Sequence, residues 1–219
     1  MSSTPARTRA ALSRERIVRA AAEIVDEQGV DALSMRAVAT RLGSGVMSLY
    51  RHVTGHEELL DLVLAAMTAE IELPEPTGQW REDLRAAARA MRAALLRRPR
   101  LTLLLTARAG RGAGELVLVD RVLGVLRTAG LSPREAVLVN HALGNLVAGA
   151  ALWEATGLGG AAGADRTDRL AEVHRVVEAA GEDLPHLAWA RGELLSPDLD
   201  ERFEAALDLV VAGAESWID

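Results

Sequence analysis

The sequence predicts an all-α protein, with a small N-terminal helix-turn-helix head joined to a larger helical body. Three observations predict it. Apolar residues make up 49% of the 219-residue chain but aromatic residues only 3%, so a sizeable core must be built from Leu, Val and Ala. Alanine and leucine are strong helix formers, and the β-branched and aromatic runs that suit strands are nearly absent. Apolar positions recur at helical spacing between Ser, Pro and Gly punctuation along the whole chain.

The elements follow in order. Residues 1–12 are polar and dotted with arginine, and are read as an arm. Ser13 is placed to cap a helix whose inward stripe is Ile17, Ala21, Ile24 and Val25, ended by Gln28-Gly29. Ser34 caps a second, shorter helix with Met35, Val38, Ala39 and Leu42 inward, stopped by Gly43. A third helix is expected over 45–53, broken by Thr54-Gly55. Glu57 and Glu58 suit the positive end of the dipole of a fourth helix, 57–73. Pro74-Glu75-Pro76-Thr77-Gly78 then interrupts the chain. A long helix is expected over 80–97, a break at Pro99, a short apolar stretch over 101–105, a glycine loop at 110–114 and a helix over 115–129. Ser132-Pro133-Arg134-Glu135 reads as a helix start, with serine as cap, proline first and an acid in the first turn. That helix is expected to reach 156. A Gly/Ala loop, 157–163, leads to a helix over 165–179. After Pro185 lies an unassigned stretch, then a last helix capped at Ser196-Pro197 and running to 217. The chain divides into an arm (1–12), a helix-turn-helix domain (13–58) and a ligand-binding and dimerisation domain (59–219).

Composition narrows the function. With no cysteine, disulfides, zinc fingers and thiol catalysis are excluded. The first residues have no apolar signal region, and no apolar stretch is read as reaching the roughly 18–20 residues of a membrane span, so a cytoplasmic location is expected. All 25 basic residues are arginine. The net charge of -6 divides unevenly: residues 1–56 carry +3 and the remainder -9. A basic head on an acidic body suits nucleic-acid contact by the head alone.

Residues 34–53, SMRAVATRLGSGVMSLYRHV, carry the chemistry. Two short helices crossing steeply need a small residue at the crossing, supplied by Ala39. They need a turn residue tolerant of positive φ, supplied by Gly43, and an apolar anchor on the second helix, supplied by Leu49. Val38, Leu42 and Val53 complete a core. Val46, Met47, Ser48, Tyr50, Arg51 and His52 are then free to face a DNA major groove. An ordinary helical hairpin would share the Ala/Gly/Leu spacing. The arginine-bearing arm, the preceding helix and the run Leu49-Tyr50-Arg51-His52 favour a DNA reader.

Over residues 13–60 the segments LSMRAVATRLG, SLYRHV and HEELL resemble the TetR family of one-component repressors, and the helix order beyond is similar to its tetracycline-repressor branch. The resemblance implies that Arg36 reaches a base or a phosphate, that Val46, Met47 and Ser48 open the recognition helix, and that Tyr50 and His52 touch phosphate or base edges. His56 stands where the family usually has a phosphate-binding lysine, and an imidazole carries charge only when protonated. Gly45-Val46-Met47 is an unusually apolar start to a recognition helix. It suits thymine methyl groups and offers few hydrogen bonds.

In the body, Asn140, His141 and Asn145 are polar residues on a leucine-rich helix, the last two one turn apart. They, with Met91, Leu105 and Trp153, are the candidate ligand contacts, although each residue type more often serves plain packing. By resemblance, a gap-free alignment puts Ala87, Leu105 and Trp153 where the tetracycline repressor contacts its magnesium–drug complex. None can replace a polar group there, so the expected effector is a different, largely apolar small molecule bound without a metal or other cofactor. The family also implies a homodimer on a palindromic DNA operator. Phe203, Leu207, Val210, Val211, Ala214 and Trp217 form a stripe expected to pack on two sides, and Ala142, Gly144, Ala148 and Ala151 permit close approach. No enzyme is expected. The G-x-G-x-x-A match at 157–162 follows a helix rather than a strand, so it lacks a dinucleotide fold's context. The alternative is a ligand-independent DNA-binding protein or an activator, which a body without a pocket would favour.

Overall fold

A computed structural model describes residues 11–107, 113–155, 164–179, 184–194 and 198–218. These form eleven α-helices and one 3-10 turn, with no strand among the described residues. The head begins with α1 (Arg14–Gln28). Its cap is Ser13, whose hydroxyl accepts from the Arg16 amide, and its buried face comprises Ile17, Val18, Ala20, Ala21, Ala22, Ile24 and Val25. After a 3-10 turn (Val30–Ala32), α2 (Met35–Leu42) starts at Ser34, whose hydroxyl accepts from the Ala37 amide. It stops at Gly43, which adopts φ 60°, ψ 36°. This left-handed conformation strains any residue with a Cβ, so the turn depends on glycine.

The recognition helix is shorter than expected. Helix α3 spans Val46–Leu49 rather than 45–53. The chain then tightens, with the His52 amide bonded back to Leu49 O at 2.8 Å, and Val53 turns in to be buried. Helix α4 (His56–Ala69) stops short of residue 73. The Thr68 hydroxyl donates back to Leu64 O at 3.0 Å, an interaction that competes with the helical ladder, and Ile71 and Leu73 bury from non-helical chain beyond.

The body consists of α5 (Trp80–Arg97), α6 (Pro99–Ala107), α7 (Ala113–Thr128), α8 (Pro133–Ala155), α9 (Ala164–Ala179), α10 (Pro185–Leu194) and α11 (Leu199–Glu215). Pro99 opens a helix instead of leaving a loose stretch, because proline fits a first position that needs no amide donor. The unassigned segment after Pro185 is also helical. Ser196 and Pro197, expected to cap the last helix, lie outside the described residues. So do residues 1–10 of the arm, Thr156 and the glycine loop at 157–163. The cap of α11 is Asp198, which accepts from the Glu201 amide at 2.9 Å.

Helix α8 packs against α5, α6, α7 and α11 and so runs through the centre of the body. Contrary to expectation, Pro133–Glu154 is long and apolar enough, by length and composition, to cross a membrane. Its apolarity serves two faces. Ala136, Val139, Leu143, Val147 and Ala151 are buried within the chain, while Val137, Leu138 and Trp153 are exposed.

One side of the stripe expected to pack on two sides lies inside the chain. Phe203, Leu207, Val211 and Ala214 are buried, Val210 is half-buried, and Leu209 and Trp217 are the large apolar side chains of this segment left exposed. A second set of contacts runs beside it. Arginines at helical spacing on α5 pair with acids on α11 that run the opposite way: Arg81 with Glu215, Arg85 with Asp208 (2.9 Å), Arg89 with Glu204 (2.6 Å) and Arg92 with Asp200 (2.7 Å). Arg92 also pairs with Glu154 of α8 at 2.7 Å and lies 4.7 Å over the Phe203 ring. This ladder flanks the buried stripe by which α11 packs on α8.

Head and body share one continuous core. It runs from Ile17 and Leu49 through Leu59 and Leu101 to Leu143 and Leu207. Helix α1 packs on α4 and α6, so the head rests on the first helices of the body.

Candidate nucleic-acid interface and ligand cavity

The head presents one face with few internal partners. Ala39 and Leu49 are buried at the crossing of α2 and α3, which anchors the geometry. Outward of them, Arg36, Tyr50 and Arg51 are exposed, Met47 is 78% exposed, and Ser48 and His52 are half-buried. Val46, expected on the outer face, packs partly against the head core. Thr40, which the sequence reading did not assign, is exposed one turn after Arg36. The signal was available, since positions four apart on a helix share a face.

Charge sorts these residues further. Arg41 is committed at the side, bonded to Glu27 and 3.5 Å from Glu23, and Arg14 is paired with Glu58. The Arg41 hydrogen bond holds the Glu27 carboxyl below its ordinary range. Among the described residues, Arg36 and Arg51 have no ion-pair partner. Both cations are thus uncommitted on the α2–α3 face.

His56, an expected DNA contact, is also engaged within the head. Its Nε2 lies 3.1 Å from Leu33 O, a geometry in which Nε2–H donates to the carbonyl, and its Nδ1 lies 3.7 Å from a Glu57 oxygen. The ring therefore braces the start of α4 against the loop before α2. Glu58 fixes the same junction by accepting from both the amide (2.6 Å) and the hydroxyl (2.8 Å) of Thr54. Those bonds, led by the backbone amide, hold its carboxyl below the ordinary range.

The body holds a cavity of about 450 Å³ that opens to solvent. Its walls come from five elements: Thr68 of α4 with Ile71 just beyond, Met91 and Leu95 of α5, Leu105 of α6, Glu115, Leu118, Val119 and Val122 of α7, and Asn140, His141 and Asn145 among residues of α8. Five of the six candidate ligand contacts lie here. Trp153 does not; it is 56% exposed two turns further along α8. Ala87 is buried beside Ile71, Leu73 and Ala94, off the cavity wall. The α7 wall was not foreseen. Its spacing, 115, 118, 119 and 122, marked an inward stripe, but the sequence could not say that the stripe faces a void.

The cavity and the head meet through α4 and the α5–α6 corner. Arg98, at that corner, lies 3.1 Å from Glu70 after α4 and 3.9 Å from Asp26 on α1, and Arg100 donates to Asp26 O at 2.7 Å. Burial is the main influence raising the Asp26 carboxyl above its ordinary value, partly opposed by Arg98.

Comparison with known proteins places this geometry. The pattern of bacterial regulatory proteins of the tetR family matches residues 17–63, and that of the tetracyclin repressor-like C-terminal domain matches residues 73–218. Among solved structures, apo ActR from Streptomyces coelicolor is similar, with 32% identity and a TM-score of 0.81 over 95% of this chain and 99% of that one. ActR in complex with actinorhodin gives a TM-score of 0.83 at 32% identity, over 94% and 97% of the two chains. A curated relative, the HTH-type transcriptional repressor DrrR1 of Streptomyces coeruleorubidus, is 39% identical over 142 residues, 64% of this chain and 53% of that protein. The chain thus spans only about half the length of that relative.

Proposed function

The chain belongs to the TetR family of bacterial regulatory proteins, and on that premise we propose that it is a cytoplasmic transcriptional repressor, a homodimer that binds a palindromic operator and releases it on binding a small, largely apolar effector. The observation that carries this reading is the double role of α4. Its first turns pack on α1 in the head, and Thr68 near its end lines the cavity. An occupant that moves Thr68 or Ile71 must move the lever on which the head rests. Arg98 and Arg100 brace the same junction from the cavity's far side.

The cavity supports a sensor over the ligand-independent alternative. Its volume lies within the roughly 300–1,000 Å³ of ligand sites. ActR has been crystallised with actinorhodin and with (S)-DNPA, which favours an organic effector of similar bulk here. The wall is mainly Leu, Val, Met and Ile with a few amide, hydroxyl and imidazole groups and one carboxylate, Glu115. With Leu105 at the position expected to contact the magnesium–drug complex, the proposed effector is not magnesium–tetracycline. The exposed Val137, Leu138, Leu209 and Trp217, with Ala142 and Gly144 among them, form the surface proposed to meet a second copy. In such a dimer the two α3 helices must match half-sites about 34–36 Å apart.

Calorimetry tests the coupling. Operator must weaken effector binding by the factor by which effector weakens operator binding. Equal effector affinity with and without operator would refute the release mechanism.

A further inference from the structure

The cap and first two residues of α3 are sorted sharply by the structure. Gly45 has no side chain. Val46 is half-buried and packs against the head core. Met47 projects, 78% exposed, more than any other apolar side chain in the head. Ser48, in the same turn, is half-buried, and the other hydrogen-bonding groups of this face, Arg36, Thr40, Tyr50 and Arg51, lie outside that turn in the chain. The most exposed side chain of the turn is therefore a thioether, which cannot donate a hydrogen bond and accepts one only weakly.

Resting on the operator-binding reading above, we propose that Met47 is a specificity determinant that selects a thymine in each half-site by packing against its 5-methyl group. On the major-groove edges of the four bases, that methyl is the one apolar group; the rest are acceptors and the amino donors of cytosine and adenine. Pressing Met47 onto a cytosine amino group or a guanine O6 removes water from a polar group and returns no partner, which is the costly case. Pressing it onto the thymine methyl removes two apolar surfaces from water together. Methionine's unbranched chain lets it settle on the methyl without strain. Discrimination at this base pair thus arises from apolar contact, in contrast to the hydrogen-bonding readers around it.

The test changes only the methyl. The full-length protein is used to enrich binding sites from a random double-stranded DNA pool, and duplexes of the enriched site are made with each thymine replaced singly by deoxyuridine. The expected result is one position per half-site where the replacement weakens binding about fourfold, the worth of one buried apolar carbon. The Met47→Ala protein, shown by denaturation to be as stable as the parent, should bind the two duplexes equally. No thymine whose methyl matters, or a methyl effect undiminished in Met47→Ala, would overturn the assignment while leaving operator binding intact. Enrichment of no sequence at all would instead refute the operator-binding reading beneath it.

Discussion

Head and body use the same helix-building vocabulary to opposite ends. The head closes its core completely: Ile17, Val25, Val38 and Leu49 are fully buried, and the groups proposed to act stand outside. The body packs around a cavity walled by α4 to α8, with Met91, Leu105 and Asn140 half-buried in the wall and His141 and Asn145 at its exposed side. The difference teaches how one chain can combine a fixed reader with an adaptable sensor. A filled core fixes the positions of Met47, Tyr50 and Arg51, as the proposed contact with a rigid duplex requires. In the proposed release, an unfilled one leaves α4, α6 and α7 room to resettle around an occupant, and the shared core passes that shift to α1.

The contrast is open to breakage, most severely at the head's anchor. Leu49→Ala should cost about 2–5 kcal/mol and melt the head, because the cavity it leaves has nothing to collapse into it. Met47→Ala, two residues away, should stay within about 0.5 kcal/mol of the parent in the same denaturation experiment. A similar loss in both would mean that the reading face is structural.

Tyr50→Ala and Arg36→Ala come next. Each is expected to lower operator affinity by about 1–3 kcal/mol with melting temperature and oligomeric state unchanged. Gel filtration showing a broken assembly would place these side chains in the fold instead.

In the body, Val119→Phe should fill part of the void. Effector binding is expected to fall about tenfold or more with operator binding retained. A marked drop in melting temperature would show that the added ring meets packed atoms and not open space.

The smallest effect is expected in the α5–α11 ladder. Arg89→Ala should cost at most about 0.5 kcal/mol, since the pair is half-exposed and screened by solvent. The hydrogen bond from Arg89 holds the Glu204 carboxyl below its ordinary value. With the folded-state value depressed, the pair's contribution is complete above the ordinary carboxylate range and disappears as pH falls through the lowered one. Acid titration of stability should therefore be slightly shallower in Arg89→Ala. An identical acid limb in both proteins would remove the ladder's electrostatic role.

Much of the head was legible because its signals are local. A serine cap, a left-handed glycine and an i, i+4 stripe act within a few residues, so Ser13, Ser34, Gly43 and Leu49 could be assigned from neighbours alone. The length of α3 could not, because its end is set by Val53 turning into a core formed by α1 and α4. His56 shows the same limit. Its place at the start of α4 was readable, but the Leu33 carbonyl it engages comes from another part of the chain.

Local pattern was enough for the helical class of the described residues, for most helix starts and for a helical hairpin over 34–53, since these depend on short-range periodicity and capping; its DNA-reading role was legible only through the segments that resemble the TetR family. Tertiary structure alone decided which apolar stripes are spent inside the chain, as on α11, and which stay free. It also decided that Val46 rests partly against the core while Met47 stands clear of it, and that α4 to α8 leave a cavity between them. A void and a helix rotation are properties of surfaces that meet from distant parts of the chain, and no local pattern encodes how well they fit.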